Sequence, residues 1–208
     1  MKNRSILPSL CLALGLAFLL AAPSPTAAQQ AGELDDSVLQ YVSVDDPVVV
    51  LVGVTVVDGT GAEPARDRTI VIRDGRIQAV GPSGQVRIPQ GARVIELPGH
   101  TVIPGIVGLH NHTFYTTRGR NVQLAFSSPR LYLGSGVTTI RTTGASSPYS
   151  EVNMMHGIAD GRIPGPRMFI TGPYITGPGA GGMMSEVATA EEARRVVAYW
   201  AEEGATWF

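Results

Sequence analysis

Thr101-Val102-Ile103-Pro104-Gly105-Ile106-Val107-Gly108-Leu109-His110-Asn111-His112 is the most informative stretch of this 208-residue chain. From Thr101 to Leu109 it is apolar without polar alternation. That is the pattern of a strand covered on both faces, as in the parallel sheets of α/β proteins. Two histidines close the run. Side chains two residues apart on a strand project to the same side, so His110 and His112 can offer two imidazole nitrogens to one divalent ion. In α/β barrels the C-terminal ends of the strands are where active sites lie. The H-x-H spacing is common in itself, and a pair of strand-end histidines that holds no ion fits it equally well.

Downstream, strands and helices alternate. Residues 124–134 read as a helix, 137–142 as a β-branched strand, 152–160 as a helix and 167–170 as another apolar strand. Thr189-Ala190-Glu191-Glu192 is a capping box; Ala193, Val196, Val197 and Trp200 then share one helix face, and Gly204 supplies the stop. This is the order of βα units on a parallel sheet. Three units are present, and Ala205-Thr206-Trp207-Phe208 reads as the opening of a fourth strand. An eightfold barrel takes roughly 250 residues, so the expectation is an incomplete (β/α)8 barrel and an incomplete sequence.

Upstream the character is different. The β-branched run 48–57 stops at Asp58-Gly59-Thr60-Gly61, and two further short runs flank Asp74-Gly75, a strong hairpin signal. Residues 93–97 form a third short strand before the Pro98-Gly99 turn. Together these predict a small antiparallel β unit.

At the N-terminus, Lys2 and Arg4 precede an apolar run over 6–22 and a small-residue segment over 23–30, the layout of a secretory signal peptide with cleavage expected after Ala28. The apolar run is shorter than the roughly 20 residues of a spanning helix and Pro8 interrupts it, so no stable membrane span is expected. The expected destination is periplasmic or extracellular. The expected division is 1–28 signal peptide, 29–46 linker, 47–103 β unit and 104–208 barrel portion. Cys11 is the chain's one cysteine and falls in the segment to be removed, which leaves His, carboxylates or a modified Lys to hold any metal. With 44% hydrophobic and 16% charged residues and a net charge of −1, the composition is that of an ordinary globular protein. Arg66, Arg68, Arg73 and Arg76 are interleaved with Asp67 and Asp74, so no basic stripe is present and nucleic acid is excluded as an expected partner.

Three motifs in order carry a resemblance: Ile72-Arg73-Asp74-Gly75-Arg76-Ile77-Gln78-Ala79-Val80-Gly81, then Val102 to His112 as quoted, then Gly136-Val137-Thr138-Thr139-Ile140-Arg141. From about residue 48 to 208 the chain resembles the amidohydrolase superfamily, in particular its imidazolonepropionase-like and prolidase-like branch. The resemblance implies a β-sandwich built from both ends of a longer chain, clasping a (β/α)8 barrel with a mono- or dinuclear divalent metal centre, usually zinc. It implies ligands from the H-x-H pair, a carboxylated lysine on the fourth strand, histidines on the fifth and sixth, and an aspartate on the eighth. Only His110 and His112 carry over, as metal ligands; no catalytic residue is assigned, and substrate-binding residues stay unassigned.

The activity implied is hydrolysis of C–N bonds in small amides, cyclic amides or dipeptides by metal-activated water. Without the proton-shuttling carboxylate, the 208-residue chain is expected to lack substantial activity by itself. The other reading is a non-catalytic fragment or remnant that at most binds a metal or a partner chain. Relatives commonly have Asp where this chain has Gly108 and Thr142, which removes two acceptors near the imidazoles. The loop 177–182 leads to Met183 and Met184 where many relatives place a histidine; it reads as a covering loop, with an apolar substrate contact as the other possibility.

Other candidates carry less. The glycine-rich loop has no Gly-Lys-Ser/Thr, and Ser127, Ser128 and Ser135 have no G-x-S-x-G context. His100 and His156 read as structural, and the sequon Asn111-His112-Thr113 as coincidence.

Overall fold

The computed structural model describes residues 33–180 and 184–208; the expected signal peptide, with Cys11 and the cleavage site after Ala28, lies outside the described residues, as does Met183. The β-branched run forms β1 (Val48–Val56), in which Val50 and Val54 are buried. A turn follows in which the Asp58 carboxylate accepts from both the backbone N–H and the hydroxyl of Thr60. β2 (Ala65–Arg73) returns antiparallel to β1, and β3 (Arg76–Pro82) pairs antiparallel with β2. Asp74 and Gly75 take φ of 47° and 69°, the double left-handed turn that the Asp-Gly pair predicts.

The next two strands depart from the expected antiparallel unit. β4 (Arg93–Glu96) and β5 (Thr101–Val102) both run parallel to β1, so the sheet is mixed, with order β3-β2-β1-β4 and β5 also on β1. With one edge of β1 taken by β2, the free edge is the other one. Residues 83–92 carry the chain back to the starting end of β1 before β4 begins. At Gly53, where φ is 79°, β1 bulges against Pro98. Among the described residues this region makes one sheet, with no second sheet facing it.

The apolar run of residues 101–109, read from sequence as one strand, is divided by Pro104 and Gly105. β5 ends in the first sheet and β6 (Ile106–Asn111) begins the second. Proline has no N–H to give a ladder, and any side chain at Gly105 would strike Thr138. Between β6 and the first connecting helix stands a hairpin that escapes the sequence pattern, β7 (Phe114–Thr117) and β8 (Arg120–Gln123), turning at Arg118 and Gly119 with positive φ. Parallel to β6 lies β9 (Val137–Thr142) and beside it β10 (Arg167–Phe169); Trp207 then bridges in parallel to Thr171. The order is sequential, as consecutive βα units require.

Part of the expected linker is folded: α1 (Asp36–Leu39) is capped by Asp35, whose N–H donates to the Gly161 carbonyl, and Val38 is buried. The connections between the parallel strands are α2 (Ser127–Gly134), α3 (Pro148–Ala159) and α4 (Ala190–Glu202). The short strands β11 (Tyr174–Thr176) and β12 (Met184–Glu186), also unforeseen, pair in parallel ahead of α4. Ile140, Val152, Met154, Ile158, Met168, Ile170 and Ala205 form the core between sheet and helices. Only one face is covered. Val107 and Leu109 are 57% and 65% exposed, against the expectation of a strand buried on both sides, because the helices pack on the opposite face.

The capping box of α4 is present in both directions, with Thr189 accepting from the Glu192 N–H and Glu192 accepting from the Thr189 N–H. Thr189→Ala is expected to cost roughly 1 kcal/mol in urea unfolding, and an unchanged midpoint would remove the cap's role. Among the described residues, no helix is long and apolar enough to cross a membrane.

Candidate metal centre

β6 delivers the two histidines to the C-terminal end of the parallel sheet: His110 lies within an irregularity in the pairing with β9 between Gly108 and Asn111, and His112 follows directly after the strand. Their ring centres are 5.4 Å apart and the planes nearly perpendicular, at 82°. Two imidazoles sharing one tetrahedral ion, each nitrogen about 2.1 Å from it, bring their ring centres about 5 Å apart. His110 is exposed; His112 is half-buried against Phe114, ring centres 5.1 Å apart. The Nε2 of His112 lies 3.5 Å from the Thr143 hydroxyl, and its Nδ1 is buried with no protein partner. A buried imidazole nitrogen of this kind calls for a partner from outside the protein, an ion or a water.

The backbone carrying the pair is held carbonyl by carbonyl. Leu109 O accepts from Arg141 Nε at 2.9 Å, Asn111 O from the Thr143 N–H at 3.2 Å, and His112 O from the Tyr132 hydroxyl at 2.9 Å. Thr113, fully buried, accepts at its carbonyl from the Leu124 N–H and from Gln123 Nε2. Its hydroxyl accepts from Gln123 Nε2 at 2.8 Å and donates to Glu151 Oε1 at 2.7 Å. Tyr132, Thr143, Gln123, Thr113 and Glu151 were not singled out by the sequence. A glutamate in the first turn of a helix reads as an ordinary complement to the helix dipole, which hides its burial.

Glu151 is 1% exposed. Burial pushes its carboxyl above the usual glutamate range, while hydrogen bonds from the Thr113 and Thr142 hydroxyls pull the other way. The folded chain therefore keeps this proton to higher pH than the unfolded chain. Stability is favoured while the group is protonated in both states and falls as pH rises from about 4.5 through the raised folded value. Glu151→Gln is expected to weaken that fall, read as the difference in urea midpoint between mildly acidic and neutral buffer. An identical pH dependence in both proteins would refute it.

The two positions where the resemblance leads one to expect aspartate are otherwise used. A side chain at Gly108 would overlap the Asn111 amide, so Asn111 fills that space. Thr142 is fully buried, and its hydroxyl accepts from the Thr171 N–H at 2.9 Å, tying β9 to the end of β10. Beside His112, through Thr143, opens a cavity of about 390 Å³ lined by Arg141, Tyr174, Trp207 and Phe208 among others. His100 and His156 are exposed and away from the pair, and the buried Thr113 leaves the sequon unpresented. Among the described residues, no group of three or more His, Cys, Asp or Glu side chains is placed to hold an ion.

No family model matches the chain, and no curated protein matches it. Solved structures do match. A protein from Bifidobacterium longum described as a prolidase superposes with a TM-score of 0.64 at 33% identity, over 76% of this chain and 39% of that one. The match bears out the resemblance to the amidohydrolase superfamily. A Xaa-Pro dipeptidase with methionine bound in its active site matches with a TM-score of 0.64 at 21% identity, over 76% of this chain and 45% of that one. Bottromycin amidohydrolase matches with a TM-score of 0.57 at 20% identity, over 85% of this chain and 37% of that one. The chain thus spans less than half the length of each of these structures.

Among the described residues the donor set, two imidazoles, one with an unpartnered buried nitrogen, and no thiolate, suits a borderline-soft divalent ion such as zinc. His110 and His112 are the residues that would hold it.

Proposed function

We propose that His110 and His112 are the first two metal ligands of a hydrolase acting on C–N bonds in small amides, cyclic amides or dipeptides, with zinc as the divalent ion. The observation that carries this is the pair itself: two imidazole rings 5.4 Å apart at the C-terminal end of the first strand of a parallel sheet. Support for the substrate class comes from the prolidase and Xaa-Pro dipeptidase among the matched structures. When bound, the ion supplies Lewis acidity for activating water and polarising a carbonyl. The chain's own contribution is to present the two imidazoles from a clamped backbone and to offer the cavity beside Thr143.

Turnover also needs a group to move a proton to the leaving nitrogen, and among the described residues no carboxylate stands with the pair. The 208 residues by themselves are therefore proposed to be inactive. The same observation favours a second reading, a non-catalytic fragment that binds a metal or a partner chain. Reading the gene past the codon for Phe208 separates the two. An in-frame lysine followed by histidine-bearing strands is expected, with zinc-dependent cleavage of Xaa-Pro dipeptides by the longer product; an immediate stop codon would favour the second reading. The N-terminal pattern supports export, and a secreted or periplasmic protein whose first residue is Gln29 is the expected result of N-terminal sequencing.

A further inference from the structure

We infer that Glu151 is a positioning residue for His112, acting through Thr113 from helix α3. This rests on the proposal that His112 is a metal ligand. Thr113 immediately follows His112, and its hydroxyl donates to Glu151 Oε1 at 2.7 Å across 38 residues of sequence. Both partners are buried, and Glu151 reaches from α3 to the residue that directly follows His112. Its other oxygen, Oε2, is buried with no protein partner.

A carboxyl group placed like this costs stability that an apolar residue of the same size would not cost. What it secures is the peptide between residues 112 and 113. With the His112 carbonyl held by Tyr132 and the Thr113 hydroxyl held between Gln123 and Glu151, the backbone that aims the imidazole has little freedom. Positions 108 and 142 supply no carboxylate that could do the same, since Gly108 has no side chain and the Thr142 hydroxyl is engaged by Thr171. Here the carboxyl comes from the helix behind the strands instead of from the strand ends. Holding a ligand from outside the first coordination sphere is worth roughly 10- to 100-fold in metal affinity.

The test uses the full chain with Thr113→Val, Glu151→Ala and Glu151→Gln, and two readouts. The first is the imidazole nitrogen spectrum of metal-free, 15N-labelled protein; the second is zinc affinity by competition with a chelating dye. Thr113→Val and Glu151→Ala are each expected to shift or broaden the His112 ring signals, leave those of exposed His156 in place, and weaken zinc roughly 10- to 100-fold. Their double variant should lose no more than Thr113→Val alone, which already breaks the bond to Glu151 together with the one from Gln123. Glu151→Gln still accepts from Thr113 and should behave as the parent does. If Glu151→Ala fails to fold, Thr113→Val carries the test, because it removes the hydroxyl and keeps the shape. A parent that binds zinc beside variants with unaltered His112 signals and affinity overturns the positioning role and spares the metal site. A parent that binds no zinc, with His112 signals still moved by Thr113→Val and restored in Glu151→Gln, supports the positioning role and removes the metal site.

Discussion

Trimming Ile140 to alanine is expected to take away a large share of the chain's stability. Ile140 is fully buried in β9, the middle strand of the parallel sheet, and belongs to the core formed with Val152, Met154, Ile158, Met168 and Ile170. Three of these neighbours come from α3 and two from β10 and its end, so the space left behind is bounded by separate elements. None of them can fill it without leaving its own contacts. Such truncations cost roughly 2–5 kcal/mol, set against a total of roughly 5–15 kcal/mol for a typical domain. Ile140→Val should lose about 0.5–1.5 kcal/mol, and Ile77→Ala, on exposed β3, within about 0.5 kcal/mol either way. Urea unfolding of the three variants reads the series. Equal midpoints for Ile140→Ala and Ile77→Ala would sink the claim that the helix side of the sheet is where this fold is held.

The second large effect concerns the metal. His110→Ala combined with His112→Ala is expected to abolish stoichiometric zinc binding, with each single variant weakened. Among the described residues no larger cluster of ligating side chains is present, so nothing compensates for the loss of the two imidazoles. Their removal should leave the far-ultraviolet circular dichroism alone, because His110 is exposed and the strand is clamped through backbone carbonyls. His156→Ala is the control for adventitious binding by a surface imidazole and should keep the parent's zinc. Equal zinc in the double variant and the parent would remove the site, and with it the chemical basis of the hydrolase proposal.

Much of the fold was legible in the residues. The Asp74-Gly75 hairpin, the β-branched strand over Val137–Thr142 and the capping box at Thr189 all formed where the pattern placed them. The parallel order of β6, β9 and β10 followed from strands alternating with helices. The hairpin of β7 and β8 was not legible, since Phe114-Tyr115-Thr116-Thr117 before Arg118-Gly119 has strand character but Arg120-Asn121-Val122-Gln123 after it is mostly polar. Of the candidate site, the pair at 110 and 112 stood out only with its context: H-x-H is common in itself, and its place at the end of an apolar strand within three ordered motifs is what pointed to a shared ion.

What the sequence by itself determined is local: turns that demand positive φ, caps, β-branched runs and the period of a helix face, all written within a few neighbouring residues. Tertiary structure alone decided that β4 and β5 run parallel to β1, that Pro104 and Gly105 divide one apolar run between separate sheets, and that Glu151 meets Thr113 beneath the histidines. Each of these depends on which distant edge or pocket is free to accept a strand or a side chain. Such vacancies exist only once other segments have packed, so no short window of residues contains them.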